Sequence, residues 1–264
     1  MSGRPLEPQL EQTLTTGDSE RMDFTDDRLP TLNIGHPVFM NYRGEELSLP
    51  TGTIEDLLGE LAALEKEVDA FLPSPDSGVM FLKEIYRIVD RLGQVIGPGM
   101  ACSTGCSACC RVMVATTRVE AELLGERIRS SSPQRQREWE AKVSDRNAFL
   151  SDLASGCSPE ADLTSFDGLL ATCEKYEQAN KACPFLGEDH LCQVYEERPL
   201  LCRVCWVLTD PRDCEPGEGP PVKFRTAVFQ KSHELVGKVS QKHFGDGRVS
   251  PIPFWFREKP REHC

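Results

Sequence analysis

From Thr53 onward the chain alternates between helical stripes of apolar residues and short breaks marked by proline and glycine. Ile54, Leu57, Leu58, Leu61, Leu64, Val68 and Phe71 recur at three- and four-residue intervals, the spacing of one helix face. Thr53 and Asp56 make a T-x-x-D start resembling a capping box, and Pro73 and Pro75 stop the run. A second helix is expected from about Gly78, with Leu82, Ile85, Val89, Leu92 and Ile96 on its stripe. The link between the two is short, so an antiparallel helical hairpin is expected. Gly97-Pro98-Gly99 ends it. Val112 to Thr116 reads as a strand or an extended connector. A helix then starts near Thr117, with Val119, Leu123, Leu124 and Ile128 inward. Pro133 opens another, to about Leu153, with Trp139, Val143, Phe149 and Leu150 as its apolar contacts. Further helices are expected over about 160–180 and 222–244, the last using Phe224, Val228, Leu235 and Val239 and broken by Gly245-Asp246-Gly247.

This pattern divides the chain into three parts. Residues 1–50 show no sustained periodicity and read as a flexible N-terminal arm, although Val38 to Tyr42 could pair or dock locally. Residues 51–244 read as one helical domain. Residues 245–264 read as a tail that docks on it through Pro251, Pro253, Phe254, Trp255 and Phe256. The expected fold class is mainly α: a helical scaffold with irregular cysteine-rich loops and few short strands.

Composition narrows the partners. The net charge of −12 over 264 residues argues against nucleic acid, which needs a concentrated basic surface. It also argues against docking on an anionic membrane. No run of about 20 apolar residues could span a bilayer. Met1 to Arg28 lacks a basic n-region and an apolar h-region, so no secretory signal is expected and the cytoplasm is the default. There thiols stay reduced, and clustered cysteines point to metal ligation or redox chemistry rather than disulfides.

Eight of the twelve cysteines fall in two stretches, 102–110 and 183–205. The first reads Cys102-x3-Cys106-x2-Cys109-Cys110, with small residues between that let the backbone curl around an ion. Adjacent Cys109 and Cys110 project in different directions and need not serve one centre. The second holds Cys183, Cys192, Cys202 and Cys205, the last two a C-x2-C pair, with a turn expected at Gly187-Glu188-Asp189. Arg198 and Arg203 place positive charge beside these thiolates and are candidate cofactor-supporting groups. Four thiolates suit either a zinc site or a four-iron cluster. One centre or two are both open.

The first cluster, the Thr117–Glu120 helix start and C-P-F-L-x5-C-x-V-Y-x2-R-P-x2-C-R together resemble the YkgJ-type cysteine-cluster family, over roughly 100–130 and 180–206. Its members are described as zinc- or iron-chelating domains. One branch looks like flagellin lysine N-methylase, which uses S-adenosylmethionine and carries an iron–sulfur cluster. The resemblance implies Cys102, Cys106, Cys109, Cys110, Cys183, Cys192 and Cys202 as ligands. Family members often continue Phe-Pro-Cys after Cys-Arg, whereas this chain has Val204-Cys205-Trp206. The expected cofactor is an iron–sulfur cluster, with 4Fe–4S first, or zinc.

The remaining candidates have plainer readings. Cys157, Cys173, Cys214 and Cys264 stand alone and read as filler or incidental thiols. His233 and His243 are about 15 Å apart along one helix and cannot grip one ion. His190 reads as a turn residue and Tyr195 as packing under the cluster loop. Arg198 could instead pair with Glu196 or Glu197. Three functional classes follow: a metal-binding or electron-carrying protein, a lysine-methylase-like enzyme acting on a protein substrate, and a metal-stapled module whose helical hairpin recruits a protein partner. Nothing in the sequence indicates an oligomeric state.

Overall fold

The two longest apolar stripes become α1 (Thr51–Ala70) and α2 (Pro75–Ile96) in a computed structural model of the chain, which describes residues 38–48, 51–155, 172–173, 175–214 and 226–256. Leu57, Leu61, Leu82, Ile85, Val89 and Leu92 are fully buried between them and their neighbours. Each such side chain contributes roughly 1.5–3 kcal/mol on burial. Periodicity identified the buried faces, except that Phe71 lies past the end of α1 and is exposed, but not the first turns. Helix α1 begins at Thr51, so Thr53 lies inside it rather than capping it. Pro75, expected to help stop α1, instead opens α2. Ser74 is the N-cap, its hydroxyl accepting from the Ser77 N–H at 3.2 Å. Proline fits the first turn because the missing N–H would have no helical partner there.

Helices α3 (Arg118–Arg129), α4 (Pro133–Ser155) and α5 (Ala227–Phe244) complete the scaffold. Helix α5 packs against α1, α2 and α3. Its approach to α2 is close: a Cβ on Gly78 would stand 2.9 Å from the His243 Cβ. His243 is spent on the α1–α2 turn, where its Nδ1 accepts from the Ser74 N–H at 3.2 Å. The main core joins α1, α2, α3 and α5 to Leu200, Val204 and Leu208 of the second cysteine segment. A second core sets Leu124, Ile128, Trp139 and Val143 under Phe185 and Val194, with Cys183 and Cys192 packed on its edge.

The strands are short, as expected for a mainly α fold. β1 (Val38–Met40) pairs antiparallel with β2 (Glu46–Ser48), so the 38–42 segment does pair locally. The hairpin leans on the α2 exit, where the Asn41 side chain donates to the Gly99 carbonyl at 3.2 Å. β3 (Ala115–Thr117) pairs antiparallel with β4 (Val249–Pro251), which brings the tail onto the body. Trp255 Nε1 then donates to the Thr116 carbonyl at 3.0 Å. The arm before residue 38, the helix expected over most of 160–180, Phe224, Cys157 and Cys264 lie outside the described residues.

Glu120 sits where three segments meet and is 4% exposed. Its carboxylate accepts from the Thr117 N–H at 2.8 Å and the Thr117 hydroxyl at 3.0 Å. It also accepts from the Tyr86 hydroxyl at 3.0 Å and the Leu200 N–H at 2.8 Å. The helix start expected at Thr117 and Glu120 is therefore present, as a capping box, and the same carboxylate anchors α2 and the turn that carries Cys202. Replacing Glu120 by Ala strands buried donors, each costing about 1–3 kcal/mol. Urea unfolding of E120A should show a loss of about 3 kcal/mol or more, as expected when a buried hydrogen-bonded charge is removed. A loss within experimental scatter would contradict this assignment.

Candidate metal centre

The first cysteine loop is held at both ends. At its start the Met100 N–H bonds the Gly97 carbonyl (3.0 Å) and the Ala101 N–H bonds the Val207 carbonyl (2.8 Å). The chain then turns at Gly105, whose φ of +88° suits a residue without a Cβ. The turns are closed by Cys106 N–H to Ser103 (3.0 Å) and Cys110 N–H to Ser107 (3.0 Å), and Ala108–Arg111 forms a 3-10 turn. At its far end the Arg111 side chain donates to the Asn180 carbonyl at 3.1 Å.

The second segment folds back on itself as expected. Leu186 and Cys192 bridge antiparallel across a turn, with the Gln193 N–H on the Phe185 carbonyl at 2.9 Å. His190 is a turn residue with φ +61°, and its Nδ1 lies 3.2 Å from Ser107 Oγ of the first loop. Cys202 rides on the one-turn helix Leu200–Arg203 that Glu120 anchors.

Backbone contacts bring the two loops together. The Cys183 N–H donates to the Cys110 carbonyl at 2.7 Å. Cys102 Sγ lies 3.4 Å from the Cys205 carbonyl oxygen. Cys110 and Cys205 both act on the ionisation of the Cys109 thiol. Cys202 feels the thiols of Cys183, Cys109, Cys205 and Cys192. So all eight cysteines anticipated from the sequence belong to one region, Cys102 and Cys106 exposed and the others half-buried.

The clustered thiols resist ionisation. Burial pushes Cys202 well above the ordinary thiol range, and the surrounding thiols add to it. Burial raises Cys183 to about 11. Cys109 is raised to about 12, first by its bond with Cys110 and then by burial, against a lowering contact with Cys205. Burial also raises Cys102 and Cys192. Thiols gathered this closely cannot all become anions without a cation among them, and this donor set suits zinc or iron. As arranged, no three His, Cys, Asp or Glu groups among the described residues converge on one ion position. Ligation therefore requires the cysteine side chains to turn inward.

The arginines are engaged more tightly than their sequence position suggested. Arg203 is 3% exposed, pairs with Asp90 at 2.5 Å and lies 4.0 Å from the Tyr86 ring centroid. It also donates to the carbonyls of Arg198 and Glu196. Arg198 pairs with Asp90 at 3.7 Å rather than with Glu196 or Glu197. Both guanidinium charges still reach Cys192 and favour its thiolate. Tyr195 is not packed under the loop: it is 57% exposed and carries Arg198 at 3.6 Å from its ring.

Three groups escaped the sequence reading. Arg146 and Lys142 of α4 direct positive charge at Cys183, and Arg146 Nε holds the Ala182 carbonyl at 2.8 Å. No motif marks them, since α4 joins the site only through packing. The third is Cys214, at the end of the 3-10 turn Pro211–Cys214. Burial raises its thiol to about 11, with further contributions from Cys102, Cys205 and Cys106. Its only sequence signal was its place nine residues beyond Cys205.

Thiols in the unfolded chain ionise near 9, those of Cys183, Cys214 and Cys109 in the fold near 11 to 12. In that window the fold keeps protons that the unfolded chain has released. The stability they contribute is therefore complete below about pH 9 and is lost as pH rises. The urea midpoint of metal-free protein should be lower at about pH 10 than at about pH 8. Equal midpoints would argue against a buried thiol cluster.

Comparison with known proteins places both cysteine loops in one family segment. Residues 101–214 match the model of the CxxCxxCC family, described as "Putative zinc- or iron-chelating domain". That segment spans both cysteine loops and ends on Cys214. No curated protein and no solved structure matches the chain. No helix among the described residues is long and apolar enough to cross a membrane.

Proposed function

We propose that this chain is a thiolate-ligated metalloprotein whose loops 102–110 and 183–205 jointly hold an iron–sulfur centre, 4Fe–4S first, or zinc. The observation that carries the reading is the joining of the two cysteine loops, the Cys183 N–H on the Cys110 carbonyl at 2.7 Å and Cys102 Sγ 3.4 Å from the Cys205 carbonyl oxygen. The ligands come from Cys102, Cys106, Cys109, Cys110, Cys183, Cys192, Cys202 and Cys205. Bound iron–sulfur would supply one-electron storage, and zinc a cross-link between loops.

The protein's own part is to gather the thiols, offset their charge and keep the loops in register. Arg198, Arg203, Arg146 and Lys142 supply the positive charge. The thiols give up their protons as they ligate, so affinity rises with pH. A reducing compartment such as the cytoplasm would keep them available for metal.

The test is metal and acid-labile sulfide analysis of anaerobically purified full-length protein. Iron with matching sulfide establishes a cluster, and zinc without sulfide establishes a structural site. C202S should lose most of the metal, and chelation should lower Tm by about 5 °C or more because binding energy is folding energy here. Metal-free protein with wild-type Tm and no uptake on reconstitution would overturn the proposal.

A further inference from the structure

The β1–β2 hairpin lies before the segment matched to the family, yet its contacts lead to the first cysteine. Its turn is built around Asn41, a polar residue that is 6% exposed. Asn41 Oδ1 accepts from the N–H groups of Arg43 at 2.9 Å and Glu45 at 3.0 Å. Asn41 Nδ2 donates to Glu45 Oε2 at 2.8 Å and, 58 residues along the chain, to the Gly99 carbonyl at 3.2 Å. Arg43 donates to the adjacent Pro98 carbonyl at 3.2 Å. Leu47 of β2 lies so close to Gly99 that a Cβ there would stand 2.4 Å from Leu47 Cδ1. Gly99 is not in the left-handed region, so it is the hairpin and not the backbone that excludes a side chain. From Gly99 the contacts continue into the site. Met100 is 3% exposed and its N–H bonds the Gly97 carbonyl, while the Ala101 N–H bonds the Val207 carbonyl at 2.8 Å. Cys102 follows directly, its Sγ 3.4 Å from the Cys205 carbonyl oxygen.

We infer that the β1–β2 hairpin is a clasp on the metal centre: by pinning Gly99 it holds the entry of the first cysteine loop against the Cys205–Val207 segment, and so limits how fast metal enters and leaves. The inference rests on the metalloprotein reading above and adds its regulation. Freeing the loop at this end means breaking the Ala101–Val207 bond and lifting Met100 from the main core, a local opening of the kind that sets exchange rates. The hairpin adds the Asn41 and Arg43 hydrogen bonds and the Leu47 contact to what must break. It carries no cysteine, so it acts on the rate of exchange and leaves the thiolate ligands unchanged.

The experiment uses two substitutions in the full chain, N41A, which removes the bond to Gly99, and G99A, which drives Leu47 away; neither touches a cysteine. The first readout is backbone hydrogen exchange at Met100 and Ala101 in metal-free protein. The second is release of cobalt(II) from the loaded protein to excess chelator. In both variants the two amides should exchange about tenfold faster than in wild type, the effect of losing one or two net hydrogen bonds, while amides in the middle of α5 stay as protected as before. Metal content at saturation should equal that of wild type, and release should be faster by a similar factor. Wild-type exchange at Met100 and Ala101 in both variants would overturn the clasp whatever the metal does. Faster exchange at these amides with unchanged release would overturn its control over metal. Loss of protection throughout α5 in both variants would show global unfolding and overturn the local assignment. A wild-type chain that takes up no metal would overturn the metalloprotein reading and with it the control of metal, while the exchange rates would still decide whether the hairpin holds the loop.

Discussion

The Glu120 carboxylate is buried among the first turn of α3, the Tyr86 hydroxyl of α2 and the backbone of Leu200, and it accepts a hydrogen bond from each. A buried charge is tolerated only when such partners replace water. Here the partners lie 34 residues upstream and 80 residues downstream, so satisfying the charge also fixes the tertiary path of the chain. The turn anchored at Leu200 carries Cys202, and the strand leading into α3 follows directly on the first cysteine loop. Both metal-binding loops therefore depart from points that one carboxylate holds together.

A second ionic clamp works beside it. Arg203 meets Asp90 and the face of Tyr86, whose hydroxyl is already on Glu120. Glu120, Tyr86, Arg203 and Asp90 thus form one connected network under the cysteines. In such a network each member orients the next, so removing one strands the others. The arrangement explains why Arg203 can act on the thiols only through space. Its own hydrogen bonds go to Asp90 and to the carbonyls of Glu196 and Arg198, which shape the Cys202 turn.

The cysteine region itself is built against a cost. Burial and mutual repulsion hold the thiols in their protonated form. A protein that gathers reduced thiols this way without a cation gains little packing beyond what smaller apolar residues would give. With a cation, the same crowding becomes a chelating surface. The depth of each thiol follows from where the scaffold ends. Cys183 and Cys192 rest on the edge of the second core, while Cys102 and Cys106 lie exposed on the first loop.

Much of this was legible in the sequence because it depends on local periodicity and local chemistry. The stripes of α1, α2 and α5 named their buried faces, Thr117 and Glu120 announced the start of α3, and the spacing of the eight clustered cysteines marked the metal-binding loops. Helix starts were less legible: Pro75 can stop one helix or open the next, and only the Ser74 cap decides between them. Tyr195 looked like a core aromatic, yet a stacked arginine lets it stay at the surface. The second hydrogen-bond pair on Glu120 and the charge that Arg146 and Lys142 lend to Cys183 carry no sequence signal. The sequence by itself determined which residues could ligate metal and which faces would be buried, since side-chain chemistry and helical period are local properties. The tertiary structure alone decided which thiols share a site, because that depends on distances between segments about a hundred residues apart, set by buried polar contacts rather than by spacing along the chain.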